Sequence, residues 1–132
     1  MEHRIWLTRL IVDTIHSELL SEHGGAPGVR AGGDDLIESA LARPQHKYAY
    51  GSGTDLADVA AAYLYGLAKN HGYIDCNKRV GFAAAATFLL LNGTRLTATE
   101  PEAYDVVIAI VEGRHTEEQV AAWIRAHTIG TR

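Results

Sequence analysis

Apolar residues recur every three or four positions along most of this chain, which is the period of a helix that buries one face. The clearest stripe spans residues 55–70, and the segment 80–91 is apolar almost throughout. The first pattern predicts an amphipathic helix, and the second predicts a helix enclosed on all sides at the centre of the fold. The stripe consists of Leu56, Val59, Ala60, Tyr63, Leu64, Leu67 and Ala68.

A first helix is predicted near the N-terminus. Thr8 is a residue type that caps helices, and Gly24-Gly25 is a typical helix end. His16 lies within this helix, and we interpret it as a packed or surface histidine rather than a ligand.

A short second helix is predicted to begin at Asp34 or Asp35 and to run through Arg43. Pro44 should end it, because the residue before a proline disfavours the helical conformation. Residues 44–54 would then form the longest connection, with polar and aromatic side chains. A connection of this length is either a docking loop or a plain solvated loop.

Two capping boxes mark the last helices. Thr99 with Glu102, and Thr116 with Gln119, have the spacing at which a side chain and the backbone exchange hydrogen bonds. Residues 94–98 are interpreted as a short strand or extended chain. The total is about six helices with little or no sheet, which predicts a compact all-α bundle forming one domain over residues 1–132.

Composition narrows the class of protein. Of the 132 residues, 47% are hydrophobic, the net charge is −4, and there is one cysteine. A basic nucleic-acid surface is not indicated. The longest apolar run, residues 82–91, is about half of a membrane span. The N-terminus has no signal-peptide pattern, so the sequence predicts a cytoplasmic protein with no direct nucleic-acid or membrane partner.

The densest chemistry lies at the join of the two most apolar segments. A helix beginning near Asn77 has N–H groups without helical partners, and its dipole favours an anion. Lys78 and Arg79 stand at this end, where cations oppose the dipole unless an anion is bound. Asp75, just outside, is placed to hold a Mg²⁺ that also contacts phosphate. His71 supplies an imidazole, which accepts protons near neutral pH.

Each of these residues also has an ordinary interpretation. A histidine at a helix C-terminus is favoured by the dipole, and an aspartate before a helix is a common cap. Residues 71–79 together hold an imidazole, a carboxylate, a carboxamide, an ammonium and a guanidinium. This combination favours phosphate chemistry. A transition-metal site from His71 and Asp75 is less favoured, because two ligands at this spacing rarely suffice.

The motif resembles that of the Fic/Doc superfamily, His-x-Phe-x-Asp/Glu-Gly-Asn-Gly/Lys-Arg. Lysine rather than glycine at position 78 is similar to the Doc branch. The resemblance extends over most of the chain, including the segments 15–16, 24–25, 28–30, 36–44 and 88–93. The matching motif residues are His71, Tyr73, Asp75, Asn77, Lys78 and Arg79.

This resemblance implies a toxin of a toxin–antitoxin module that transfers the γ-phosphoryl group of ATP to a protein hydroxyl. The implied target is elongation factor Tu, and the implied consequence is inhibited translation. His71 would be the general base, Asp75 the Mg²⁺ ligand, and Asn77, Lys78 and Arg79 the phosphate-binding residues.

The resemblance also implies an inhibitory helix with the pattern Ser/Thr-x-x-x-Glu-Gly/Asn, whose glutamate would meet Arg79. Glu112-Gly113 does not fit, because Ile108 stands at the Ser/Thr position. The inhibitor is therefore predicted to be a separate antitoxin.

Three residues depart from the family pattern. Tyr73 replaces phenylalanine, so its hydroxyl needs a partner if it is buried. Cys76 replaces glycine or alanine, and Phe82 stands where Fic adenylyltransferases have a second arginine. Two alternatives stay open: a Fic-type protein adenylyltransferase, which Lys78 and Phe82 disfavour, and a catalytically silent binding module, which Tyr73 and Cys76 would support.

Overall fold

The computed structural model describes residues 4–51 and 53–130, and within them it contains six helices and two short strands. The strands pair antiparallel with Arg95 opposite Ile129. The prediction of an all-α fold is confirmed. The elements are α1 Arg9–His23, α2 Gly33–Tyr50, α3 Leu56–Asn70, α4 Asn77–Leu91, β1 Thr94–Leu96, α5 Glu100–Val111, α6 Glu117–Ala126 and β2 Thr128–Gly130.

Helix α3 is the most enclosed helix of the bundle. It packs against α2, α4, α5 and α6, and ten of its fifteen residues are buried. The prediction that α4 would be enclosed on all sides is wrong. Helix α4 packs on α3 and α1, but Leu90 and Leu91 near its end are 57% and 41% exposed, since no element covers that face within the described residues.

Glycines set the closest helix crossings. A Cβ at Gly81 would lie 3.1 Å from the backbone nitrogen of Ala68 and from the carbonyl oxygen of Leu64. At Gly66 it would lie 3.3 Å from the Cβ of Ala40. The absence of side chains at these positions therefore lets α2 and α4 approach α3 closely.

Helix α2 is longer than predicted at both ends. Gly32, in the left-handed conformation, precedes it, and Asp34 lies in its first turn rather than at its cap. Pro44 does not end the helix but is fully buried inside it. The missing hydrogen bond is offset because Pro44 is buried with Ala40 and Leu41.

The extension of α2 changes the connection that follows it. The loop predicted for residues 44–54 is helical up to Tyr50, and Ser52 lies outside the described residues. The chain reaches α3 within five residues after Tyr50, so the prediction of a long loop is wrong and the last two turns of α2 occupy most of that segment.

The predicted caps at Thr8, Thr99 and Thr116 are confirmed. The side chains of Thr8, Thr99 and Thr116 each accept a hydrogen bond from the backbone N–H three residues later. Capping boxes form at the last two of these positions and also at Asp55. None of the described helices has the length and apolar character needed to cross a membrane.

Candidate active site

The motif occupies the loop between α3 and α4, and it begins with a left-handed residue. His71 ends α3 with φ 52°, so this histidine, rather than Gly72, turns the chain. Gly72 is needed for space: a Cβ there would lie 2.4 Å from Ile37 and 2.9 Å from the carbonyl oxygen of Gly33. The start of α2 therefore presses directly against the beginning of the motif.

The glycine-rich segment between α1 and α2 lies alongside the motif loop. The N–H of Ile74 donates to the carbonyl oxygen of Gly28 at 3.1 Å, and the N–H of Arg30 donates to that of Gly72 at 3.1 Å. A single antiparallel bridge joins Val29 to Tyr73. Sequence reasoning did not predict that these two loops lie together, although glycines in the first one permit the close approach.

Tyr73 is 2% exposed, and its hydroxyl has the partner that burial demands. It donates to Oδ1 of Asp13 at 2.6 Å. Burial, and then the neighbouring Asp13 carboxylate, raise the pKa of Tyr73, which keeps the phenol a neutral donor. The departure from phenylalanine therefore ties the motif loop to α1.

Arg9 holds Asp13 in turn, with Nε 3.0 Å from Oδ1. The same guanidinium reaches Asp34 at 2.7 Å and Glu38 at 3.1 Å, both on α2. Hydrogen bonding to Asp34, and then to Asp13 and Glu38, raises the pKa of Arg9 despite partial burial. The network therefore continues from Tyr73 through α1 to the first turns of α2.

Asn77 closes the loop on itself. Its Oδ1 accepts from the N–H of Tyr73 at 3.0 Å, and its Nδ2 donates to the carbonyl oxygen of Tyr73 at 2.9 Å. The side chain is engaged in these two bonds and the residue is 8% exposed. Its predicted contact with phosphate stays a prediction, while its contacts with Tyr73 set the shape of the loop.

Helix α4 begins without a side-chain cap. Cys76 precedes it with φ 70° and makes no capping hydrogen bond. The first helical bond runs from the N–H of Val80 to the carbonyl oxygen of Cys76 at 2.8 Å. The N–H groups of residues 77–79 therefore have no partner within the helix, which leaves donors for an anion.

Three predicted site side chains are available for a ligand. Lys78 and Arg79 are exposed and His71 is half-buried. Within the described part of the chain, none of the three makes a side-chain hydrogen bond or an ion pair. The loop thus presents two cations and an imidazole beside the open amides of α4.

Asp75 is exposed, and only one of its carboxylate oxygens is engaged by the protein. Oδ2 accepts from the N–H of Ala26 at 2.7 Å, whereas Oδ1 has no partner among the described residues. Mg²⁺ commonly binds one or two carboxylates together with substrate phosphates and water, so a single free carboxylate oxygen fits that role. The described residues contain no group of three or more His, Cys, Asp or Glu side chains arranged for a metal.

Two other features lie outside the motif. Phe82 packs edge-on against Trp123, with ring centroids 6.5 Å apart. Position 82, where Fic adenylyltransferases have a second arginine, therefore makes an aromatic contact here. A cleft of about 710 Å³ is formed by α2, α3 and the start of α6, and no motif residue lines it. In this cleft Glu117 is held by Arg43 and by Lys47, which ties α6 to α2.

The fold and the motif loop together define a class of protein. Residues 6–89 match the model of the Fic/DOC family, and the chain belongs to this family. It is similar to "Protein kinase doc" of Escherichia phage P1, with 33% identity over 111 residues that cover 84% of this chain and 86% of the relative. It is also similar to "Toxin Doc" of Mycolicibacterium smegmatis, with 47% identity over 76 residues, which are 57% of each chain.

Proposed function

We propose that this protein is a Doc-type toxin of a toxin–antitoxin module, and that it transfers the γ-phosphoryl group of ATP to a hydroxyl of a protein target. The observation that carries the proposal is the uncapped start of α4, where free amides meet the exposed Lys78 and Arg79. Similarity to relatives named as a kinase and as a toxin supports the same assignment.

The electrostatics of the loop support the proposed binding of phosphate. The helix dipole and the N–H groups of residues 77–79 favour an anion at the start of α4. Two cations at this end would destabilise the helix alone, but they stabilise it once a triphosphate is bound. Lys78 acts as a compact point charge, and the planar guanidinium of Arg79 can pair with two phosphate oxygens.

His71 is proposed as the general base. Its imidazole makes no hydrogen bond within the described residues, so it is free to meet a substrate hydroxyl. It would take the hydroxyl proton while the oxygen attacks the γ-phosphorus and the bond to the β-phosphate oxygen breaks, leaving ADP. His71 is the C-cap of α3, and its left-handed backbone sets the position of the side chain at the end of the helix.

Asp75 is the residue that would hold Mg²⁺, through the oxygen that Ala26 does not engage. The ion would offset the charge of the phosphates during transfer. Asn77 is proposed to act by holding the loop through Tyr73, so that residues 75 and 78 are presented together.

The target and the partner are proposed from the family. Elongation factor Tu is the proposed acceptor, with inhibition of translation in the cytoplasm as the consequence. The proposed partner is an antitoxin whose inhibitory helix places a glutamate on Arg79, which is exposed and has no ion pair within the described residues. An acidic side chain there would occupy the anion site in place of phosphate.

The reaction can be tested with two samples of ATP, labelled at the α or at the γ position, and elongation factor Tu as the acceptor. The γ label should appear on the target and the α label should not. The Lys78→Gly variant serves as a comparison, because it restores the residue typical of adenylyltransferases. Transfer of the α label by the natural protein would identify an adenylyltransferase. Transfer of neither label would exclude elongation factor Tu as the acceptor, and ATP binding without transfer to any protein of a cell extract would identify a silent binding module.

A further inference from the structure

Outside the motif, one buried histidine contacts two residues of the motif loop. His16 lies on α1 and is 6% exposed. Its Nε2 is 3.1 Å from the backbone carbonyl oxygen of Asp75, 59 positions away in sequence. Its ring stacks on that of Tyr73, with centroids 3.9 Å apart and planes 17° from parallel.

We propose that His16 is a positioning residue that holds the motif loop in the shape needed to present Asp75. This inference rests on the proposed function, in which Asp75 holds Mg²⁺ beside the phosphates of ATP. The burial of His16 agrees with the interpretation of a packed histidine, to which a positioning role is now added.

The chemistry of the contact fixes the state of the ring. A carbonyl oxygen only accepts, so Nε2 of His16 must carry the hydrogen. Of the two neutral tautomers the bond therefore selects the one with the hydrogen on Nε2, and a ring turned so that Nε2 points elsewhere would lose it. The contact is partly buried, so the carbonyl oxygen would lose free energy of interaction if this donor were removed.

The position of Asp75 depends on two separate anchors. His16 holds its backbone carbonyl, and the N–H of Ala26 holds one oxygen of its carboxylate. Because His16 also stacks on Tyr73, it contacts the loop on both sides of the exposed Ile74. The backbone path from 73 to 75 is thereby fixed just before the left-handed turn at Cys76 that starts α4.

The hydroxyl of Tyr73 provides a matched control. It anchors the same loop to the same helix, but through Asp13 rather than through the Asp75 carbonyl. Tyr73→Phe keeps the stacked ring and removes the hydrogen bond from the Tyr73 hydroxyl to Asp13. Comparing it with His16→Phe therefore separates general attachment of the loop to α1 from the specific placement of Asp75.

The experiment compares His16→Phe, which keeps an aromatic ring but loses the donor, with His16→Gln, which keeps an N–H donor. The first readout needs no nucleotide: hydrogen exchange of residues 73–79 measured by mass spectrometry. Exchange should rise in His16→Phe and should be closer to the natural protein in His16→Gln. Nitrogen NMR of the natural protein should show His16 as the Nε2–H tautomer.

The second readout is the affinity for a non-hydrolysable ATP analogue, measured by calorimetry with and without Mg²⁺. In His16→Phe the gain in affinity from Mg²⁺ should fall about tenfold, as is typical when support of a metal ligand is lost. The affinity without Mg²⁺ should stay the same. Tyr73→Phe should keep most of the Mg²⁺ gain.

Three outcomes decide the matter. Unchanged exchange in His16→Phe, or the opposite tautomer, would overturn the proposal whatever the reaction is. An equal loss of affinity with and without Mg²⁺, not restored by glutamine, would reduce His16 to a stabilising core residue and also overturn it. If exchange rises as expected but the natural protein gains no affinity from Mg²⁺, the positioning of the loop stands and the proposed role of Asp75 fails.

Discussion

The two helices that flank the motif loop begin in opposite ways. Helix α3 starts with a complete capping box at Asp55, whose carboxylate also accepts two hydrogen bonds from Arg125. Helix α4 starts at Cys76, which is left-handed and supplies no cap. At the start of α3 the backbone donors and the charge have partners within the protein, whereas at the start of α4 the side chains of Lys78 and Arg79 have no partner among the described residues.

The two helix starts also differ in charge: the start of α3 carries a carboxylate, whereas the start of α4 carries two cations. At α3 a carboxylate meets the positive end of the dipole, and Arg125 holds the pKa of Asp55 well below its usual range. At α4, Lys78 and Arg79 meet the positive end of the dipole without an ion pair among the described residues. Such an arrangement is expected to lower the stability of the free protein, and under the proposed function the phosphates of ATP would offset this cost.

The largest expected effect is on the reaction. In His71→Ala, transfer to the target should fall by a factor of about 10² to 10⁴, because the proposed general base is removed. The melting temperature should change little, since the imidazole of His71 makes no hydrogen bond within the described residues. Single-turnover rates with labelled ATP would measure the effect, and full activity in a folded variant would remove His71 from the mechanism.

Asp75→Ala should abolish the strengthening of ATP binding by Mg²⁺. The loss should be at least about tenfold, since even support of a metal ligand is worth that much. Calorimetry with and without Mg²⁺ measures it, and Asp35→Ala, on the exposed first turn of α2, is a control of equal charge change. If the metal effect persists in Asp75→Ala, the ligand lies elsewhere.

The capped start should respond in stability rather than in activity. Asp55→Ala should lower the free energy of unfolding by about 1–2 kcal/mol, from the lost cap and a partly exposed ion pair. Asp55→Asn keeps an acceptor for the cap and should lose less. Denaturant titrations measure both, and transfer rates per folded molecule should not change.

The pH dependence of this loss has a definite sign. The pKa of Asp55 is depressed in the folded state by Arg125, so its stabilisation is present above the unfolded value of about 3.9 and lost as the pH falls below it. The difference in stability between the natural protein and Asp55→Asn should therefore shrink in acid. A difference that grows in acid would contradict the ion pair.

The smallest expected effect is on the free energy of unfolding when Cys76, at the uncapped start of α4, is replaced. Cys76→Gly should raise the free energy of unfolding by about 0.5–1 kcal/mol, because glycine removes the left-handed strain but adds freedom to the unfolded chain. Cys76→Ala keeps the Cβ and the left-handed strain and loses only the weak contact of Sγ with the carbonyl oxygen of Gly24, so it should not raise the free energy of unfolding. If glycine lowers the free energy of unfolding, the left-handed backbone at position 76 does not strain the protein. The contrast between the two helix starts would then be smaller than proposed.

The sequence by itself determined the features that depend on neighbours along the chain. Helical period located α1, α3, α5 and α6, and side chains three residues apart predicted the boxes at Thr99 and Thr116. The motif was recognisable because its residues lie within nine positions of one another. Each of these signals arises from interactions within one or two turns of a helix.

Only the tertiary structure decided the features that depend on distant contacts. A proline such as Pro44 usually ends a helix, because it lacks a backbone N–H donor. Burial of the surrounding residues nevertheless stabilises α2 for six residues beyond Pro44. Tyr73 found its partner on α1, and His16 reached the carbonyl of Asp75 across 59 positions. A sequence pattern cannot pair such residues, because the free energy that joins them comes from the packing of helices whose arrangement is set by the whole core.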